Sequence, residues 1–433
     1  MLYSIYQFVG TVLYCLSFPF VLLLNRLQGY ISYGLGQRYG FRLHSPAKKD
    51  VSSYRIWIHA ASVGEVQAAR VLIGEMISRE KKCDFFLSTM TKHGLSVASK
   101  QLPPEVFCFL APLDVSIVVQ RFVAAIKPDV YVCLETELWP AIFIELHRTG
   151  IPSVMLNGRM TERSSRRYKM IHSLMRRLLG NLDGLAVISE DDGKRFGELG
   201  APTELIQVTG NIKYDYPVEN VEKVRLSHRF TLKADKEIVF ISGSTRTGEE
   251  EILIRVFKAL KKQSDKDILW VIAPRHLERL DEVQKILIGA GLKFDLYSKL
   301  KTSARTCSVV LVDTMGELGQ LYSAGDFNLV GGSLVKQRGH NIIEAARWGR
   351  PVYYGSSIDD FKDAAEILES AGGSFRVADG DELTATLIDH LRDKKVYEHA
   401  CAGAMHAVSL QRGAAGRQAD MLLSLLQNPA QNK

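Results

Sequence analysis

Carboxylates placed where a strand gives way to a helix are the first candidates for chemistry in this chain. The apolar run Ile56–His59 leads into Ala60-Ala61-Ser62-Val63-Gly64-Glu65. Ser62 and Glu65 have the spacing of a capping box, in which each side chain satisfies an orphan N–H of the first helical turn. The same place, at the carboxyl end of a strand, suits Glu65 as a general base facing a ligand. Both readings stand, and they coexist only if the cap is loose. Glu135-Thr136-Glu137-Leu138-Trp139-Pro140 follows the apolar run Val130–Leu134 in the same way. Two acids there are costly to bury unless paired. Thr136 and Glu137 have the alternative of capping a helix that begins near Trp139; Glu135, nearest the strand end, is the better site candidate.

Cationic and glycine-rich segments come next. Arg159, Arg163, Arg166, Arg167, Lys169, Arg176 and Arg177 form a stretch in which Glu162 is the only acid. Such a face is either simply solvated or suited to phosphates at a bilayer surface. No aromatic-interleaved stripe accompanies it, which disfavours a nucleic-acid partner. Ser242-Gly243-Ser244-Thr245 with Gly248-Glu249, Pro274-Arg275-His276, Asp313-Thr314-Met315-Gly316-Glu317-Leu318 and Gly331-Gly332-Ser333 each follow an apolar run. Gly339-His340-Asn341-Ile342-Ile343-Glu344 opens a further helix. Repeated Gly-rich turns of this kind place the free N–H groups of helix N-termini around one crevice, which predicts an anionic nucleotide ligand. None ends in Gly-Lys-Ser or Gly-Lys-Thr, so none is a P-loop. Arg275 either forks onto a phosphate or carboxylate or makes a surface salt bridge.

These residues need a scaffold, and the apolar pattern supplies one. Short β-rich runs alternate with helix-length segments such as Val66–Ile77 and Val115–Ile126. Strands are expected at Ile56–His59, Phe85–Ser88, Val106–Phe109, Val130–Leu134, Ser153–Leu156, Gly184–Ile188 and Leu205–Val208. After a polar pause at Gly210–Lys233 they resume at Ile238–Ser242, Leu269–Ala273, Val309–Val312, Phe327–Val330 and Pro351–Tyr354. Near-continuous apolar strands alternating with helices mean parallel sheets covered on both faces. The α/β fold class is therefore two doubly wound Rossmann-like domains, joined near residue 215, with ligands at the carboxyl ends of strands and between the two units. Residues 34–210 are the expected first domain and 211–428 the second, whose last helix has the option of packing back on the first. A chain of 433 residues fits two or three domains of roughly 150 residues each.

Composition narrows the class. With 46% apolar and 24% charged residues the chain is globular, neither disordered nor multi-spanning. Its six cysteines are scattered, without metal-site spacing, and read as reduced thiols. The charge is +7, which favours anionic partners without choosing among them. No charged residue precedes Arg26, and Met1–Leu24 is mostly Leu, Phe, Val and Tyr. That is about the length of a bilayer-spanning helix, and it lacks the basic start and small-x-small site of a cleaved signal. Residues 1–25 are read as a membrane anchor, which Pro19 and marginal length let either span the bilayer or lie in one leaflet. Arg26, Arg38, Arg42, Lys48 and Lys49 then keep the following domains on the cytoplasmic face.

Together the motifs resemble the 3-deoxy-D-manno-octulosonic acid (Kdo) transferases of lipopolysaccharide assembly. The matching segments are His59–Glu65, Glu135–Pro140, Asn157-Gly158-Arg159 with Glu162-Arg163-Ser164, Gly210-Asn211-Ile212-Lys213, Gly243-Ser244-Thr245, Pro274-Arg275-His276, Asp313–Leu318 and Gly331-Gly332-Ser333-Leu334. Coverage runs from the N-terminal segment to about Phe361. The sequence departs from the usual pattern at Leu277, Ile342 and Ala345, where the family usually has proline.

The resemblance implies a GT-B glycosyltransferase, inverting and metal-independent, with no cofactor. CMP-Kdo would be the donor and the tetraacylated, doubly phosphorylated disaccharide lipid IVA the acceptor, at the inner membrane. It implies Glu65 as proton acceptor, with Glu135 and Lys213 stabilising the transition state. CMP would meet Pro274, Arg275, Met315, Gly316, Glu317, Asn341, Ile342, Ile343 and Glu344. The acceptor's phosphates would meet the basic stretch at Arg159, Arg163, Arg166 and Arg167. The alternatives are a GT-B transferase using a UDP- or GDP-sugar and a non-catalytic, membrane-anchored binder of acidic glycolipid.

Overall fold

Buried β-branched and aromatic runs form the strands, because both faces of each sheet are covered. The computed structural model describes residues 2–27, 33–41, 53–79, 82–215, 220–232, 234 and 236–427. They form two compact units, Met1–Asp215 with Gln411–Lys433, and Tyr216–Leu410.

The first unit is a parallel sheet of β1 (Tyr54–His59), β2 (Cys83–Thr89), β3 (Phe107–Leu110), β4 (Val130–Leu134), β5 (Ser153–Gly158), β6 (Gly184–Val187) and β7 (Ile206–Val208). Their order is β3-β2-β1-β4-β5-β6-β7. Successive residues of β1 serve opposite faces: Ile56 and Ile58 pack with helix Val63–Ser78 and helix Ala414–Gln427, and Trp57 packs with helices Ser116–Ile126 and Pro140–Thr149. The chain leaves β1 toward β2 but leaves β4 toward β5 on the other side. The carboxyl ends of β1 and β4 therefore flank the switch point where such sheets bind ligands.

The second unit repeats the plan with β8 (Ile238–Thr245), β9 (Ile268–Pro274), β10 (Asp295–Leu296), β11 (Val309–Leu311), β12 (Phe327–Val330), β13 (Val352–Tyr354) and β14 (Ser374–Arg376). The order is β10-β11-β9-β8-β12-β13-β14, all parallel, so its switch point lies between β8 and β12. Phe240, Trp270, Leu329 and Tyr353 belong to its core.

Every expected strand is present, within about two residues at most ends. The edge strands β10 and β14, of two and three residues, were not expected. The polar pause holds the helix Val221–Leu232, whose Arg225 and Arg229 both pair with Asp326. Preceding the first sheet is the helix Leu2–Leu27, with Pro19 inside it. Its residues Tyr3–Leu23 are long and apolar enough to cross a membrane by length and composition. Of the basic flank, Arg42, Lys48 and Lys49 lie outside the described residues.

Candidate active site

Glu65 sits in the first turn of the helix that follows β1. Ser62 is the N-cap: its side chain accepts from the Glu65 N–H at 3.3 Å and donates to Oε1 at 2.7 Å, while the Ala61 N–H donates to Oε2 at 2.7 Å. Ser62 thus caps the helix, but Glu65 reaches back to the Ala61 N–H, one residue before the cap, instead of closing the reciprocal box on the Ser62 N–H; both carboxylate oxygens are nonetheless held, against the expectation that a base role needs a loose cap. Each carboxylate oxygen keeps a second lone pair, so these bonds leave Glu65 able to accept a proton. Burial pushes the Glu65 carboxyl up, the negative charge of Glu135 pushes it further, and the bonds from Ser62 and Ala61 pull it back, leaving it at about 7. A carboxyl titrating there is poised to accept a proton near neutral pH.

Glu135 directly follows β4, in the left-handed region, at φ 57°. That conformation is strained for a residue with a Cβ. Its N–H is held by the Leu156 carbonyl at 2.9 Å, and its carboxylate is ion-paired with the half-buried Lys213 ammonium. Lys213 also crosses the first turn of the Glu65 helix: a Cβ on Gly64 would lie 3.3 Å from its Nζ. The structure therefore brings Glu65, Glu135 and Lys213 together at the β1–β4 switch point, although they are far apart in sequence.

Residues without a role in the sequence reading hold Lys213 there. Buried Asn157, also at φ 57°, accepts from the Ile212 N–H at 2.9 Å, and Asn211 caps the same turn by accepting from the Lys213 N–H at 3.0 Å. Gln411, from the returning C-terminal segment, accepts the Asn211 N–H at 2.9 Å, and Asp215 caps the last helix through the N–H groups of Gly413 and Ala415. The Asn-Gly-Arg motif marked Asn157; nothing local in the sequence marked Gln411.

Thr136 and Glu137 do not cap the following helix. Its free N–H groups, at Ala141 and Ile142, donate to Asp114 at 3.0 and 2.9 Å, because the turn through Trp139 carries the two nearer side chains elsewhere. Thr136 donates to the Arg159 carbonyl, and Glu137 accepts from the Trp139 indole at 3.1 Å. Of the basic residues, Arg159 is half-buried and so joined to the Glu135 loop. Arg163, Arg166 and Arg167 lie exposed on helix Glu162–Lys169, with Arg166 paired to Glu162. His59 is buried with Nδ1 2.9 Å from Ser88, and burial, aided by the charge of Arg38, pushes it down to about 4. It is neutral at physiological pH.

In the second unit, Pro274 ends β9 and Arg275 stands exposed beyond it, its N–H on the Thr245 carbonyl at 3.0 Å. Met315 and Gly316 are exposed, and Gly316 takes φ 85°. Glu317 precedes helix Leu318–Leu321. Asn341, one residue before the N-cap Ile342 of the next helix, accepts the Ile343 N–H at 3.0 Å, and the side chains of Ile342 and Ile343 are fully buried, leaving only their backbone for a ligand. Ile342 adopts φ −78°, within the range of the proline it replaces. Burial pushes the Glu344 carboxyl up, and Arg347 and then Arg275 pull it back. Its carboxylate lies directly over Gly319, where a Cβ would approach within 2.4 Å of Oε1.

One glycine-rich turn departs from expectation. The N–H groups of Gly332, Ser333 and Leu334 all donate to the buried carboxylate of Glu249, at 2.7, 3.1 and 2.9 Å, and so does that of Arg246 at 2.9 Å. The anion nest after β12 is therefore filled by a side chain of this protein and is not open to a ligand.

With this geometry in hand, likeness to known proteins is informative. The sequence model of the 3-deoxy-D-manno-octulosonic-acid transferase (Kdo transferase) family matches residues 33–216. A 3-deoxy-D-manno-octulosonic acid transferase of Haemophilus influenzae is 30% identical over 394 residues, covering 91% of each chain. That of Rickettsia bellii is 31% identical over 78% of this chain and 80% of its own. Among solved structures, the UDP-GlcNAc 2-epimerase of Neisseria meningitidis bound to UDP-GlcNAc aligns with 86% of this chain and all of its own, with TM-score 0.54 at 14% identity. That likeness is one of fold, and it agrees with two seven-stranded Rossmann-like sheets of GT-B type. Identity maintained across nearly the whole length of a relative carries more than fold: this chain is a glycosyltransferase and belongs to the 3-deoxy-D-manno-octulosonic acid transferase family.

Proposed function

We propose that the protein transfers Kdo from CMP-Kdo to lipid IVA, once or more than once, in lipopolysaccharide assembly on the cytoplasmic face of the inner membrane. The observation that carries this reading is the Glu65 carboxyl, tuned to about 7 beside an ion-paired Glu135 and Lys213, in a chain of this family. Glu65 takes the proton of the attacking acceptor hydroxyl, and the oxygen bonds to the anomeric carbon of Kdo with inversion. The bond to CMP breaks, and its phosphate leaves with added negative charge. Lys213, oriented by Glu135, and Arg275 stabilise that charge as it grows. Pro274, Met315, Gly316, Glu317, the backbone of Ile342 and Ile343, and the polar groups of Asn341 and Glu344 hold the donor. Arg159, Arg163, Arg166 and Arg167 take the acceptor's phosphates.

Glu65→Gln is the direct test. It keeps the shape and the Ser62 contact but removes the proton acceptor. Transfer is expected to fall by at least a hundredfold while CMP affinity, read by calorimetry, stays within about twofold. Near-normal turnover would remove Glu65 from the role of base.

A further inference from the structure

The helix Leu2–Leu27 has two unlike faces. Ile5, Phe8, Val12, Leu16, Phe20 and Leu23 recur at helical spacing and share one side. All are exposed, Phe8 at 70%, Leu16 at 74% and Phe20 at 64%. The opposite side is tied to the first unit by a polar seam. Tyr6 donates to Asp114 at 2.7 Å, Ser116 donates to Gln7 at 2.8 Å, Arg121 donates to the Tyr14 hydroxyl at 3.0 Å, and the hydroxyls of Ser17 and Tyr39 lie 2.6 Å apart. Alongside these bonds, Tyr14 and, one turn further on, Val21 are buried in the same core cluster as Val118 and Phe122. Phe18 packs on Phe41 with centroids 5.4 Å apart.

Attachment thus runs from Tyr6 to Val21, about 22 Å of helix axis at 1.5 Å per residue. A helix crossing a bilayer over that stretch would be ringed by acyl chains and separated from the unit it is bonded to. Its Tyr, Gln and Ser side chains would then lose their partners in a medium that offers none. Asp114, which holds Tyr6, also caps the helix after the Glu135 motif, so the seam is continuous with the catalytic framework. Charge adds a second argument. The Arg177 guanidinium lies 5.1 Å over the Tyr3 ring, at the start of the N-terminal helix. Arg177 ends a helical pair that carries Arg163, Arg166 and Arg167, with exposed Met170 between its helices. An apolar stripe bordered by basic side chains fits an anionic lipid surface, where apolar burial and charge attraction act together.

We infer that this helix does not cross the bilayer: it is a docked member of the first unit and sinks its exposed apolar stripe into one leaflet of an anionic membrane. The inference deepens the proposed function and rests on it only in taking a membrane as the partner. Both ends of the chain then lie on the same side of the bilayer, whereas a spanning helix puts them on opposite sides.

The test uses the full chain with one cleavable epitope before Met1 and a second after Lys433. The chain is reconstituted into vesicles of phosphatidylethanolamine and phosphatidylglycerol, and protease is added outside. In-plane docking predicts that each molecule loses both epitopes or neither, whichever way it is oriented. Molecules that lose one epitope until detergent is added would overturn the inference, as would failure to associate with the vesicles. A second variant, Phe8→Glu with Leu16→Glu, changes only the exposed stripe. It is expected to weaken vesicle binding at least tenfold with CMP affinity unchanged; unaltered vesicle binding would count against the stripe. Transfer activity measured in the same vesicles is an independent readout. Its absence with both epitopes on one side would fault the donor and acceptor assignment and leave the docking intact.

Discussion

Replacing Glu135 by Gln tests whether two carboxyls of the first unit share one electrostatic environment. The Glu65 carboxyl is pushed from its usual 4.5 up to about 7, chiefly by burial and next by the charge of Glu135. The whole displacement is worth roughly 3 kcal/mol between its protonated and ionised forms. A neighbouring charge commonly accounts for 1–3 pKa units. Lys213 neutralises part of Glu135, so about one unit, the low end of that range, is the expected share. Gln keeps the shape and removes the charge, and the Glu65 pKa falls. A base works ionised, so kcat/KM is lost as pH drops through the pKa of the free enzyme. With a pKa near 7 about a tenth of Glu65 is ionised at pH 6; with a pKa near 6 it is about half. Relative to its own high-pH plateau, the variant should keep about half its activity at pH 6, where the parent keeps about a tenth. The plateau itself should drop, because Lys213 loses the carboxylate that orients it. Acceptor-dependent CMP release followed from pH 5 to pH 8.5 separates the two effects. An acid limb that stays in place or moves to higher pH would refute the coupling.

Two glycines give further expectations. A Cβ on Gly64 would stand 3.3 Å from the Lys213 ammonium, so Gly64→Ala should lower kcat by about tenfold or more, an effect of about 1.4 kcal/mol, with little change in melting temperature. Unchanged kcat would show that Lys213 can shift without consequence. A Cβ on Gly319 would come within 2.4 Å of Glu344 Oε1 and must displace that carboxylate. Gly319→Ala should raise the donor KM severalfold while leaving the acceptor KM alone, as steady-state kinetics with each substrate varied will report; equal rises in both would count against Glu344 as a donor contact.

The scaffold was legible where burial writes long apolar runs. Val130–Leu134 and Phe327–Val330 are strands at the residues their composition indicates, since both sheet faces around them are covered. Asp295–Leu296 and Ser374–Arg376 lie at sheet edges and are too short to carry a pattern. Within the site, Glu65 and Glu135 could be singled out because strand ends are read locally. What the sequence hid is contact at a distance. Asp114 takes the capping role that the nearer Thr136 and Glu137 are placed in sequence to fill, and Gln411 supports Asn211 from two hundred residues away. The carboxylate of Glu249 fills a nest formed by residues more than eighty positions later. A glycine-rich turn advertises free N–H groups, but only the fold shows what they meet.

Transfer of Kdo is read most directly from its product. Purified full-length protein is incubated with lipid IVA and CMP-Kdo generated in place, and the lipid is weighed by mass spectrometry. The lipid is expected to be heavier by one or more Kdo residues, with a matching release of CMP. Lipid of unchanged mass, from folded protein that binds CMP, would contradict it.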